Sequence, residues 1–264
     1  MKYNSNNYNE ILKALDLPTY WENRLKSKAQ KESELSLRML DELGDNVQGT
    51  AISHKLYSEN TSVRKHAKSI FMNLSSHDNF KFLNNDFDRD FNTLDEVRIH
   101  KALVSKAEEK PLPLLMRWVN IATNENYQSY LIREIAFFKQ IDSAPQLVEL
   151  YSKTNSSIVK NSIVETIGDL AYTEAISILI VDYDYADLST QEVIIETLGK
   201  LGGTDALSFL TDLYYKTSNK ERLVKLLQQI YKIDEARTTY TQIRTTAISE
   251  FEQKAFAYIE LNQE

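Results

Sequence analysis

The fold is indicated by a stretch that is written twice: NSIVETIGDLAYTEAISILIVDY at residues 161–183 and EVIIETLGKLGGTDALSFLTDLY at residues 192–214. A shift of 31 positions superimposes identical residues, among them Glu165/Glu196, Thr166/Thr197, Gly168/Gly199, Leu170/Leu201, Thr173/Thr204, Ala175/Ala206, Ser177/Ser208, Leu179/Leu210 and Tyr183/Tyr214. Self-similarity at a period of about 20–50 residues is typical of repeat proteins, in which one supersecondary unit stacks on copies of itself.

Each copy has the pattern of two helices joined by a tight turn. Apolar residues recur every three to four positions, which places one apolar stripe on each helix. In the second copy, Gly202 and Gly203 can end the first helix, and Thr204 can cap the next one. Gly168 and Gly199 lie inside the first-helix pattern, where glycine costs about 1 kcal/mol relative to alanine. We interpret both glycines as sites of close helix packing.

The pattern resembles the HEAT repeat, in particular its short bacterial, armadillo-like form. The residues that carry the resemblance are Ile167-Gly168, Leu198-Gly199, Ala175, Ala206, Val63-Arg64 and Val97-Arg98. It implies an all-α right-handed α-α superhelix, a HEAT-like solenoid of about seven helical hairpins forming one continuous body. In that family the arginine of a Val-Arg pair generally braces the neighbouring repeat.

Both ends of the chain are expected to be caps. Residues 1–30 predict an N-terminal helical cap, residues 31–249 the HEAT-like repeats, and residues 250–264 the end of a C-terminal capping helix. Because neither glycine nor proline occurs from Ile233 onward, the apolar stripe there predicts one long helix over residues 236–261.

Composition limits the compartment and the partners. The 264 residues include no cysteine, carry a net charge of −7 and have a pI near 5.3. Neither disulfides nor thiolate zinc sites can form, and a cytoplasmic location is expected. No apolar run reaches the ~18 residues of a membrane helix, so no direct membrane insertion is expected. Some bacterial HEAT-repeat proteins have an N-terminal anchor, so this resemblance allows a soluble part of a longer chain tethered to the inner membrane. The acidic charge disfavours nucleic acid as a partner.

No catalytic residue, metal site or cofactor is predicted. The histidines His54, His66, His77 and His100 are scattered, and none is paired at i+4 with another. Asp86, Asp88 and Asp90 resemble the start of a calcium loop, but Phe91 and Val97 stand where that loop needs glycine and glutamate. We interpret the three aspartates as an acidic turn between repeats.

An alternative function is that of a HEAT-like enzyme acting on DNA, of the glycosylase type, or on another substrate. Basic side chains that such an enzyme would need do occur, at Arg64, Lys65, Lys68, Arg98 and Lys101. They fall on predicted first helices, which normally form the convex side of a HEAT-like solenoid. The leading hypothesis is therefore a non-enzymatic scaffold or adaptor.

Acidic and aromatic residues on the second helices predict where a partner binds. In HEAT-like solenoids the second helices line the concave face. Tyrosine is a favoured contact residue, and carboxylates select basic segments. The predicted site for a protein or peptide with a basic segment consists of Tyr151, Asp182, Asp184, Tyr185 and Tyr215. Tyr183 and Tyr214, eight residues after Ala175 and Ala206, are instead expected in the core stripe.

Overall fold

The protein is helical throughout the part that the structure, a computed structural model, describes: residues 5–44, 47, 49–75 and 78–261. No strand occurs within those ranges. The α-helices are α1 Ser5–Ala14, α2 Leu17–Leu25, α3 Gln30–Leu43, α4 Thr61–Leu74, α5 Thr93–Glu109, α6 Met116–Val119, α7 Glu125–Phe137, α8 Ala144–Lys153, α9 Ser157–Asp169, α10 Ile176–Asp182, α11 Leu188–Leu201, α12 Thr204–Lys216, α13 Lys220–Ile233, α14 Thr238–Thr246 and α15 Glu250–Leu261. The all-α prediction is confirmed.

Short 3-10 helices complete the connections, and they lie at Gly49–Lys55, Lys81–Asn85, Ile141–Ser143, Thr173–Ala175 and Tyr183–Tyr185. His77, residues 1–4 of the predicted N-terminal cap and residues 262–264 of the predicted C-terminal helix lie outside the described residues. The chain divides into two compact units, Met1–Gln128 and Ser129–Glu264. The predicted boundaries at residues 30 and 250 stay a prediction.

In the N-terminal unit, α2 packs on α3, α3 on α4, and α4 on α5. Its core includes Leu25, Leu37, Leu40, Ile70 and Leu103, each fully buried. Charged side chains are also buried between α4 and α5, where Lys65 Nζ lies 2.6 Å from Asp95 Oδ2. Asp95 also completes a capping box with Asn92 at the start of α5. The same carboxylate therefore caps α5 and binds Lys65 of α4.

In the C-terminal unit, the first helices of the two sequence copies are α9 and α11, which pack against each other, and α11 packs on α13. Thr166 Oγ1 donates to Ile132 O at 3.1 Å, and Thr197 Oγ1 donates to Val164 O at 3.2 Å. Both hydroxyls are buried, and each donates its hydrogen bond to a backbone carbonyl of the preceding first helix. The identity of Thr166 and Thr197 in the sequence therefore reflects the same kind of packing contact, although the two acceptors lie 34 and 33 residues upstream.

Gly168 and Gly199 lie at these same helix contacts, as predicted. A Cβ atom on residue 168 would lie 3.2 Å from side-chain atoms of Thr197 and Lys200, one copy further on. A Cβ on residue 199 would approach Gln229 of α13 more closely, at 2.7 Å from its Cδ and 2.8 Å from its Cβ. The absent side chains let successive first helices approach each other.

The turns after the first helices use left-handed backbone. Ala171 has φ 54° and Lys139 has φ 53°, and Gly202 stands at the corresponding position of the second copy with φ 69°. Tyr172 N donates to Ile167 O and Gln140 N to Ile135 O, which is the six-to-one bond of a Schellman motif. Alanine and lysine thus occupy Schellman turns here, whereas Gly202, with ψ −158°, ends α11 in a different conformation.

The prediction of one long C-terminal helix is wrong, because α14 ends at Thr246 and α15 begins at Glu250. Ser249 and Glu252 form a reciprocal cap: Glu252 N donates to Ser249 Oγ at 3.2 Å, and Ser249 N donates to Glu252 Oε2 at 3.1 Å. Ser249 therefore starts a new helix, and the β-branched Thr245 and Thr246 weaken the end of the previous one.

Candidate functional site

The five residues predicted to bind a partner, which we call the second-helix surface, all belong to the C-terminal unit. Tyr151 lies on α8, Asp182 at the end of α10, and Asp184 and Tyr185 in the 3-10 turn that follows; Tyr215 lies near the end of α12. Each therefore lies at or near the end of a second helix, before the loop that leads to the next first helix.

Tyr151 is not an exposed contact residue, so the prediction is wrong at this position. Its ring is buried, and its hydroxyl donates to Asp182 Oδ2 at 2.5 Å. Burial, followed by the hydrogen bond to the Asp182 carboxylate, raises the pKa of the Tyr151 hydroxyl far above its ordinary value. The apolar spacing that placed Tyr151 on the second helix is the spacing of the core stripe.

Asp182 is already paired inside the unit. Besides the Tyr151 hydroxyl, it has Lys160 Nζ of α9 at 3.5 Å, and that ammonium lies 4.9 Å from the centre of the Tyr151 ring. The three side chains link α8, α9 and α10. The Asp182 charge is thus largely compensated, and its first role is to hold these helices together.

The side chains of Tyr185 and Tyr215 are 85% and 57% exposed. Asp184, which precedes Tyr185 in the sequence, is also exposed. The expectation that Tyr183 and Tyr214 belong to the core is confirmed, since both rings are buried. Tyr183 packs edge-on against Phe209, with ring centroids 5.3 Å apart, and Tyr214 donates to Glu252 Oε1 at 2.9 Å. Each exposed tyrosine thus stands close in sequence to a buried one that anchors its helix end.

In the described part of the chain, no hydrogen bond or ring contact joins Asp184, Tyr185 or Tyr215 to Tyr151 or Asp182. Two other exposed apolar side chains, Val181 and Leu188, lie within four residues of Tyr185. The exposed part of the second-helix surface is therefore Asp184, Tyr185 and Tyr215, extended by Val181 and Leu188. Such an arrangement offers contact area and a carboxylate.

The N-terminal unit contains a buried charge network that the sequence did not predict. Arg64 binds Asp88 through two parallel hydrogen bonds of 2.8 and 2.9 Å, and Lys68 Nζ lies 2.8 Å from the same carboxylate. Burial alone would raise the pKa of Asp88, but the hydrogen bonds from Arg64 and Lys68 lower it well below its ordinary range. Asp88 is therefore the ionised centre of the network.

The three alternating aspartates each have a separate structural task. Asp86 accepts a hydrogen bond from Thr123 N at 3.0 Å, Asp88 binds Arg64 and Lys68, and the Asp90 backbone carbonyl accepts a hydrogen bond from Lys65. Within the described residues, no three His, Asp or Glu side chains come together in a way that could hold a metal ion. The interpretation of an acidic turn fits these contacts.

The Val-Arg pairs differ from each other. Val63 is buried, and Arg64 binds Asp88 in the loop that precedes α5. Val97, in contrast, is 64% exposed, and Arg98 binds Asp95 on its own helix at 2.9 Å. The buried face of α5 is formed instead by residues such as Asp95, Ile99 and Ala102, so the Val97-Arg98 match misplaces the register of this helix.

A cleft of about 870 Å³ opens beside this network and includes Arg64, Lys68 and Asp88 in its lining. Sequence reasoning missed it because its residues come from separate loops and share no periodicity. The alternating aspartates Asp86, Asp88 and Asp90 mark one of these loops in the sequence, but by themselves they indicate only an acidic turn.

Comparison with protein-family models gave no match, and comparison with curated protein sequences gave none either. Of the helices that the structure describes, none is both long enough and apolar enough to cross a membrane.

Proposed function

We propose that this chain is a non-enzymatic scaffold of the HEAT-like solenoid type that binds a protein or peptide partner. The repeated threonine and glycine contacts along α7, α9, α11 and α13 support the stacking of like units. An extended stack offers a long surface rather than an enclosed reaction chamber, and such surfaces commonly bind polypeptides.

The observation that carries the proposal is the exposure of Tyr185 and Tyr215 at the ends of successive second helices. Tyrosine gives large contact area for little loss of side-chain entropy and is enriched in protein interfaces. Exposed Val181 and Leu188 widen the apolar area around Tyr185. Tyr183 and Tyr214 hold the two helix ends in place from the core side, so the contact residues are carried on ordered backbone.

Charge selects the kind of partner. Asp184 is exposed, and Asp212 one turn before Tyr215 is exposed as well. Carboxylates at the edge of an interface attract basic segments and increase the association rate. The partner segment is therefore basic, with apolar or aromatic side chains that cover Tyr185 and Tyr215.

Affinity capture from the native cell followed by mass spectrometry tests this function. Wild-type protein and the double variant Tyr185→Ala/Tyr215→Ala are used side by side, with Tyr258→Ala as a control, since Tyr258 is an exposed tyrosine of α15. The proposal requires a protein that wild type and the control capture and that the double variant loses. Equal capture by all three variants contradicts it.

The alternative, an enzyme acting on DNA, is weakened by the state of the basic side chains. Arg64 and Lys68 are bound to Asp88, Lys65 and Arg98 to Asp95, and Lys101 to Asp41. Charges that are already compensated by carboxylates release few counterions on meeting phosphate. A gel shift with duplex DNA decides between the two, because tight binding at about 150 mM salt would favour the enzyme.

A further inference from the structure

The cleft of the N-terminal unit has the size of a ligand site. Its volume of about 870 Å³ lies within the range of roughly 300–1,000 Å³ that is usual for small-molecule sites. It is lined by the segment after the 3-10 helix Gly49–Lys55, by α4, by the acidic loop and by the segment that precedes α7. Because several separate segments converge on it, the cleft is a product of the tertiary fold.

The wall of the cleft is fixed by the buried charge network. Arg64 also donates to Ser58 O at 2.8 Å, and Lys68 donates to Phe87 O at 2.7 Å, so both cations hold backbone as well as Asp88. Asp86 and Phe87 are consecutive non-glycine residues with φ 52° and 60°. Left-handed backbone at two such positions in a row is strained, and strain of this kind is found where a ligand site is held in shape.

Two asparagines of the cleft lining are held by hydrogen bonds to their amide oxygens. Trp118 Nε1 donates to Asn84 Oδ1 at 2.9 Å, and Tyr127 N donates to Asn124 Oδ1 at 3.1 Å. With both oxygens engaged, the Nδ2 groups of Asn84 and Asn124 are left as donors whose direction is set by their neighbours. Asn85 and Glu59, both exposed on the lining, supply acceptors.

The lining carries no net charge, since its cations are Arg64, Lys68 and Arg89 and its anions Glu59, Asp86 and Asp88. The cleft therefore favours neither a phosphate nor a cation. Of the residues that line it, only Tyr57 and Ile121 have large apolar side chains, which is too few for the side-chain pockets that a bound peptide needs. An uncharged ligand rich in hydroxyl groups fits this composition.

We propose that the cleft binds an uncharged oligosaccharide. Sugar hydroxyls both donate and accept hydrogen bonds, which matches the Asn84 and Asn124 amino groups and the Asn85 and Glu59 oxygens. A sugar ring also has an apolar face of C–H groups, and Tyr57, 75% exposed at the cleft, offers an aromatic face to cover it. This site lies in the other unit from the second-helix surface and does not depend on the function proposed for that surface.

Saturation-transfer NMR tests the proposal with uncharged mono- and disaccharides built from glucose, galactose, mannose and N-acetylglucosamine at millimolar concentration. Wild type should transfer saturation to at least one of them. Tyr57→Ala and Asn124→Asp should each weaken binding about fivefold to tenfold, the loss expected for one contact. Asn124→Asp keeps the oxygen that accepts from Tyr127 N and replaces the amino donor by a charged carboxylate oxygen; aspartate caps a helix as well as asparagine does, so the fold is retained.

The control is Tyr215→Ala, which should leave sugar binding unchanged while it affects the partner surface. Absence of transfer from wild type to every sugar overturns the proposal, as does equal transfer from wild type, Tyr57→Ala and Asn124→Asp. A peptide array probed with the same proteins tests whether the cleft binds a peptide instead. Peptide binding that Asn124→Asp abolishes, without sugar binding, would assign the cleft to a polypeptide and overturn the proposal too.

Discussion

Gly199 of α11 lies directly against Gln229 of α13, so close that a Cβ on residue 199 would be 2.8 Å from the Gln229 Cβ. That distance is shorter than a normal carbon–carbon contact, and a Cβ atom cannot rotate away because it is fixed to the backbone. The corresponding Gly168 is less restricted, since its nearest neighbours are Lys200 Cδ and Thr197 Cγ2 at 3.2 Å. Glycine is therefore required more strictly at position 199 than at position 168.

Gly199→Ala should lower the free energy of unfolding by about 1–2 kcal/mol. Overpacking costs about 1–3 kcal/mol, and the better helix propensity of alanine returns up to about 1 kcal/mol. Gly168→Ala should remain within about 0.5 kcal/mol of wild type. Urea unfolding followed by circular dichroism measures both. Adding Gln229→Ala to Gly199→Ala should recover only part of the loss, because the Cβ contact remains; full recovery would place the strain in the amide end of Gln229 instead.

Ala171→Gly should stabilise the protein by about 0.5–1 kcal/mol. Ala171 is exposed and has φ 54°, so glycine relieves left-handed strain there without leaving a cavity. Gly202→Ala, the change at the same position of the second copy, should destabilise by about 1–3 kcal/mol, since φ 69° with ψ −158° is a backbone conformation that is essentially restricted to glycine. Thermal unfolding should show a higher unfolding temperature for Ala171→Gly and a lower one for Gly202→Ala. A lower unfolding temperature for Ala171→Gly would contradict the turn assigned to Ala171.

Alkaline pH should unfold the protein partly through its buried tyrosines. Burial and then the bond to Asp182 raise the pKa of Tyr151, and burial raises the pKa of Tyr240 to about 12. A phenol whose pKa is higher in the folded state stabilises that state below the unfolded pKa of about 10 and stops doing so as the pH rises. Stability should therefore fall above pH about 10. Tyr151→Phe, which cannot ionise, should show a shallower fall than wild type in urea titrations across that range.

Asp88→Asn should be the most damaging of the single carboxylate changes in the acidic loop. It leaves Arg64 and Lys68 buried without their shared anion, and breaking a buried pair costs about 3–5 kcal/mol. Asp90→Asn, at an exposed carboxylate in the same loop, should cost less than about 1 kcal/mol. Because the pKa of Asp88 is lowered, its contribution is present above pH about 4 and is lost as the pH falls further. Comparing the acid unfolding of the two variants with that of wild type measures this contribution.

The parts of the structure that sequence could predict are those governed by periodicity. Helical character, the burial of Tyr183 and Tyr214, and the close contacts at Gly168 and Gly199 all follow from residues that recur at helical spacing or at 31 positions. Periodicity also explains the error at Tyr151. A tyrosine on an apolar stripe can lie in the core or on a binding surface. For Tyr151 the difference depends on its hydrogen bond to Asp182, which only the tertiary structure shows.

Periodicity failed where a side-chain cap, rather than glycine or proline, begins a new helix. The cap formed by Ser249 and Glu252 divides the predicted C-terminal helix, although the apolar stripe continues through it. The cleft was missed for a related reason. Asn84 and Asn124 are forty residues apart, and only the fold brings them to one lining, where Trp118 and Tyr127 orient them.

Asp182 and Asp184 lie two residues apart but have different surroundings, so we expect their replacement to have different effects. Asp184 is exposed, whereas Asp182 binds the Tyr151 hydroxyl and lies 3.5 Å from Lys160. Asp184→Asn should therefore slow association with a basic partner and flatten its salt dependence while leaving stability unchanged, because an exposed charge acts mainly on encounter. Asp182→Asn should lower the unfolding free energy by about 1 kcal/mol, since it removes a charge-assisted bond at a partly exposed site, and should barely change the association rate.

Stopped-flow binding to the captured partner, together with urea unfolding, measures both effects. If Asp182→Asn slows association as much as Asp184→Asn does, the Lys160 pairing does not compensate the Asp182 charge, and both carboxylates belong to the surface that meets the partner.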